Sequence, residues 1–147
     1  MRRLVLLISC LAAAAAGATE WKVLMTAEQG TSDAVETRFL SNHIVAATGT
    51  ACTETYLVAG HFNTKSRAED LANYLRTRFA RFLVSLLKAT QHATRDVYAF
   101  IPQQDFTSKS DIDWSRPVSE IDAQLYVQYG ITKPEQKFIE SMIKPMK

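Results

Sequence analysis

Catalytic chemistry leaves recognisable spacings, and most of them are absent from this sequence. Phosphate-cradling loops need closely spaced glycines, because the backbone must approach the ligand. The glycines here are Gly17, Gly30, Gly49, Gly60 and Gly130, and no two share one motif, so a dinucleotide fingerprint or a P-loop is excluded. There is no Gly-x-Ser-x-Gly. His43, His61 and His92 lack the helical spacing of metal ligands, and Cys10 and Cys52 form neither a CxxC pair nor a disulfide framework. Cys52 reads as a small buried or strand residue. Glu135-Gln136-Lys137 resembles the end of a nuclease motif, but that motif belongs on a strand and this triplet opens a helix, where Glu135 serves as a cap. No catalytic, cofactor or metal-binding residues are therefore expected. What remains is binding chemistry. Arg67, Tyr74, Arg78, Arg81 and Lys88 recur at helical spacing. Gln91, His92 and Arg95 follow, with Gln103 and Gln104 beyond. Cations at this spacing suit phosphates, and the amides suit base edges.

The elements that must position these groups can be read from patterning. Trp21 to Thr26 alternates loosely and reads as a strand, and His43 to Ala47 is a second short apolar run. Thr53 to Ala59 is β-branched and aromatic between Gly49 and Gly60, the clearest strand. Ser66 with Glu69 forms a capping box that predicts one long helix to about Lys88. Its apolar arc is Leu71, Leu75, Phe79, Phe82, Leu83 and Leu86, and the arginine-bearing arc lies beside it. Val97 to Ile101 reads as a strand stopped by Pro102, and Gln103 to Trp114 as a polar loop. Ser119 to Tyr129 reads as a helix closed by Gly130, and Thr132 with Glu135 caps a last helix to about Ile143. The sum is a single small α+β domain with a short mixed or antiparallel sheet, one long helix and two short ones.

Composition agrees with one ordinary globular core: 147 residues, 47% hydrophobic, 22% charged and a net charge of +2. So small a charge makes any nucleic-acid footprint local. Residues 1–18 stand apart from the rest. Arg2 and Arg3 precede an apolar run from Leu4 to Ala16 and the small-x-small pattern Ala16-Gly17-Ala18, the layout of a secretory signal peptide. The run is too short to span a bilayer, so no stable membrane association is expected once it is removed. Removing it would bring the formal charge to zero.

From Trp21 onward the sequence resembles the C-terminal, target-recognition region of adenine-specific DNA methyltransferases of type II restriction–modification systems, some of them fused to a nuclease. The segments that carry the resemblance are Thr53 to Val58, Arg78 to Leu83, Thr90 to Arg95 and Val97 to Phe106. Asp113-Trp114, Ile121-Asp122-x-x-Leu125-Tyr126, Tyr129-Gly130 and Phe138 to Ile143 complete it. The resemblance implies N6-adenine methylation from S-adenosylmethionine in the complete enzyme. It does not give this chain that activity, because the paired-proline catalytic motif is missing (the prolines are Pro102, Pro117, Pro134 and Pro145) and so is the glycine-containing cofactor motif.

The expectation is a non-catalytic DNA-recognition fragment over residues 19–147, working with a methyltransferase catalytic domain that it lacks. Its partner would be double-stranded DNA, contacted by Arg78, Arg81, Lys88, Gln91, His92, Arg95, Gln103 and Gln104. Residues 1–18 have no counterpart in that family. They are an export signal, sequence translated ahead of an accidental start in a truncated gene, or part of a fused reading frame. The truncation reading places the protein in the cytoplasm. The export reading makes it a small periplasmic or secreted protein without enzymatic role.

Overall fold

A computed structural model describes residues 19–26, 43–53, 55–87, 98 and 101–146. Within them the fold is α+β, a three-stranded antiparallel sheet covered by helices. The strands are β1 (Trp21–Thr26), β2 (Ile44–Ala46) and β3 (Tyr56–Phe62), in the order β2-β1-β3. The helices are α1 (Lys65–Arg76), α2 (Arg78–Leu87), α3 (Val118–Gln128) and α4 (Lys133–Met142). The central strand β1 is buried on both faces. Val23 and Met25 join Leu57 and Ala59 in the main core with α1. Leu24 faces the other way and packs with Ala46, Val58 and the half-buried Cys52.

The strand expected at Thr53 begins at Tyr56 and continues through Gly60, the boundary that the pattern implies, to Phe62. The pairing explains the difference. Lys22 faces His61 and Val23 faces Ala59, so Gly60 is an extra residue that β1 does not match. Its φ of 67° is the left-handed value of a glycine-type bulge. A Cβ there would stand 2.6 Å from the Phe62 ring, so the bulge needs glycine for space as well as for conformation.

The single long helix predicted after Ser66 is two. Thr77, with φ −60° and ψ 150°, is extended and separates α1 from α2. Its hydroxyl donates to the Tyr74 carbonyl at 2.6 Å and accepts from the Ala80 amide at 3.2 Å, ending one helix and capping the next. The capping box at Ser66 does not form either. Thr64 holds the N-cap position, Ser66 lies inside the helix, and Glu69 pairs with Lys65 at 2.9 Å. The break at Thr77 turns α2 about its axis relative to a continuous helix. Leu71, Leu75 and Phe79 are buried as expected, but Phe82 is half-buried against the edge of Phe138 and Leu86 is 58% exposed.

The C-terminal elements follow the sequence closely. Gly130, φ 64°, sits just past α3. Its N–H bonds the Val127 carbonyl and that of Ile131 bonds Tyr126, which closes the helix in a Schellman motif. Glu135 accepts from the Thr132 amide at 2.7 Å at the start of α4, the reach-back predicted for it. The segment 103–114 contains neither helix nor strand and is organised by Trp114, whose indole N–H reaches the Asp105 carbonyl at 2.9 Å. The strand expected at Val97 to Ile101 lies outside the described residues except for Tyr98 and Ile101. Both of these are buried and neither is in a strand.

Candidate nucleic-acid interface

The arc of Arg67, Tyr74, Arg78 and Arg81 does not survive the break at Thr77. Tyr74, on the inner face of α1, is fully buried, and its ring meets Trp114 edge-on. Its hydroxyl donates to the Pro102 carbonyl at 3.0 Å and accepts from Gln104 Nε2 at 3.3 Å, while the same amide donates to the Tyr129 hydroxyl at 2.9 Å. Gln104 is therefore an interior residue that ties α1 to the turn after α3. Its donors are committed to protein acceptors rather than to a base edge. Burial pushes the Tyr74 phenol well above its usual range, so Tyr74 stays neutral at ordinary pH.

Arg81 is interior as well. It is 2% exposed, and its Nη1 donates to the Lys144 carbonyl at 2.6 Å, joining α2 to the end of α4. Burial pulls its pKa down, and the nearby Asp122 opposes that shift. The continuous-helix geometry had put Arg81 on the solvent side; the turn at Thr77 puts it inside. Arg78 opens α2 and remains half-exposed, with Nη1 3.6 Å from the Glu140 carboxylate. Gln103 is exposed. Lys88, Gln91, His92 and Arg95 lie outside the described residues.

Asp122 is the pivot of this region. From α3 its carboxylate accepts the Arg78 amide at 2.9 Å and the Phe79 amide at 3.0 Å, taking up the free donors that begin α2. Burial raises its pKa. The two amides, Arg78 and Arg81 pull it back. Pattern reading missed this role, although Ile121-Asp122 was among the family-like segments. A buried acid in the middle of an apolar helix face was the available signal.

Elsewhere some of the described cations face acids. Arg116 reaches Asp113 at 3.0 Å and Glu120 at 3.8 Å, and Arg67 acts on Asp105. A groove of about 560 Å³ between α1 and the segment 106–115 is lined by Arg67, Asp70, Phe106, Asp111, Asp113 and Trp114. Its charges are mixed, with carboxylates in the majority, so it is not a track for phosphates. Among the described residues no group of three or more His, Cys, Asp or Glu side chains is placed to hold a metal ion, and no helix is long and apolar enough to cross a membrane.

Compared with protein-family models, curated proteins and solved structures, the chain matches none.

Proposed function

We propose that this chain is a non-catalytic DNA-recognition module of the kind that ends adenine-specific methyltransferases, acting beside a catalytic domain that supplies S-adenosylmethionine binding and methyl transfer. The observation that carries the reading is the ordered run of family-like segments from Thr53 to Ile143. Support comes from where those segments lie. Phe79, Trp114, Ile121, Asp122, Leu125 and Ile139 are buried. The same segments also supply surface, through Gln103, Asp113, Phe138 and Met142.

In this reading Arg78 and Gln103 contribute to the duplex-facing surface together with Lys88, Gln91, His92 and Arg95, while Arg81 and Gln104 support it from within. The test is a salt titration of duplex binding by fluorescence anisotropy on residues 19–147. Each neutralised phosphate contributes about −0.9 to the log–log slope, so Arg78→Gln flattens it by up to about one unit. Absence of binding at low salt, both alone and with an added methyltransferase catalytic domain, overturns the reading. A second reading, a small exported protein without enzymatic role, is favoured by the apolar run Leu4 to Ala16 and the pattern Ala16-Gly17-Ala18. Fractionation separates the two, since a chain shortened to Thr19 outside the cytoplasm supports export.

A further inference from the structure

His43 stands immediately before β2 with its side chain in the interior, 5% exposed, and neither ring nitrogen has a hydrogen-bond partner among the described residues. It leads into β2, which packs against α1. The described charges acting on the ring are those of Arg76, the last residue of α1, and Arg81, one turn into α2. Lys22 of β1 lies opposite Ala46, at the other end of the ladder from His43. Arg81 is not free to swing away, because its guanidinium is anchored on the Lys144 carbonyl and held near Asp122.

A proton on this imidazole therefore adds positive charge to an interior that already contains more of it. Burial first, and then the two arginines, push the ring down to about 4, so it is neutral at neutral pH. β2 is the element with least to resist such a charge. It is three residues long and, among the described residues, pairs with β1 alone, through Lys22↔Ala46, Val23↔Val45 and Leu24↔Ile44.

We propose that His43 is an acid-sensitive latch: protonating its buried, unpartnered ring releases the strand β2 from α1 while the α3–α4 end of the fold stays in place. The sign follows from the neutral form being the one the folded state accepts. The ring's contribution is fully present above its unfolded pKa of 6.5 and is lost as pH falls from there toward about 4.

The experiment follows histidine ring and backbone amide resonances of the full chain by NMR from about pH 7.5 to about pH 4. It compares wild type with His43→Leu and His43→Gln, and uses His61→Gln to assign the rings. The expected result has three parts. The His43 ring titrates well below the ordinary histidine range. The amides of Ile44 to Ala46 shift or broaden in the same interval, before those of α3 and α4. Both His43 variants keep the β2 signals through it. An ordinary titration of the ring with β2 undisturbed overturns the proposal. So does an unchanged acid transition in either variant, or loss of all amides at once. If both variants fail to fold, coincidence of the ring titration and the β2 changes in the wild-type chain decides alone.

Discussion

Asp122→Ala tests how α2 is held at its origin. In the folded chain two main-chain donors, from Arg78 and Phe79, end on this one carboxylate at 2.9 and 3.0 Å. Each bond to a charged group contributes about 1.5–3 kcal/mol net, and a buried donor left without a partner costs about 1–3 kcal/mol. Against this stands the cost of burying the carboxylate, visible in the raised pKa of Asp122. Truncation also strips the interior Arg81 of a nearby opposite charge, which worsens its own burial. Taken together, Asp122→Ala is expected to cost about 3–5 kcal/mol, a large share of the roughly 5–15 kcal/mol that holds a domain of this size. Asp122→Asn keeps one acceptor oxygen but turns an amide N–H₂ toward the other donor, so its cost is about half as large. Urea unfolding followed by tryptophan fluorescence measures both, since Trp114 lies in the core beside Tyr74. The pH dependence supplies a sign. A carboxyl whose folded pKa is raised binds its proton more tightly when folded, so its protonation stabilises. The gap between wild type and Asp122→Asn should widen as pH falls from neutrality toward 3.8. A loss under about 1 kcal/mol for Asp122→Ala would mean that Thr77 caps α2 by itself and that the carboxylate is incidental.

Three further outcomes are expected from the same unfolding assay. Gln104→Ala removes the amide shared by the Tyr74 and Tyr129 hydroxyls and should cost about 2–4 kcal/mol, whereas an unchanged midpoint would show that the network is not needed. Gly60→Ala must hold φ 67° and meets the Phe62 ring at 2.6 Å, so about 1–3 kcal/mol is expected; a neutral result would mean that the bulge can shift register. Phe82→Ala should cost about 1–2 kcal/mol, because the ring is half-buried and its outer contact is Phe138, short of the roughly 3–5 kcal/mol of a fully buried phenylalanine.

Much of the fold was legible because some signals are local. β1 announces itself through a short, largely apolar run, and the two C-terminal helices through Gly130 at a left-handed position and through Thr132 with Glu135. The errors arose where a distant residue decides. Nothing between Ser66 and Lys88 interrupts the helical period except a threonine, and threonine is tolerated within helices. Thr77 becomes a boundary because Asp122, far along the chain, waits to take the donors of the new helix. The bulge at Gly60 is similar. A glycine after a strand-like run reads as an end until β1 supplies pairing on both sides of it.

The same break governs what was legible of the candidate interface. On one helix Tyr74, Arg78 and Arg81 share an arc, and a shared arc of cations reads as a surface. With the axis turned at Thr77, Tyr74 and Arg81 are interior, Arg78 is half-exposed beside Glu140, and Leu86 comes out into solvent. Periodicity identifies which residues share a face only while the axis continues. The face itself is assigned by packing. Arg81 makes the point sharply. Its charge suggested a phosphate ligand, yet its donor is spent on the Lys144 carbonyl, where it closes the last turn of the chain against α2. Its replacement should therefore change stability far more than salt dependence, while Arg78, outside the core, should do the reverse. Measuring both quantities for both arginines distinguishes a residue that builds the surface from one that belongs to it.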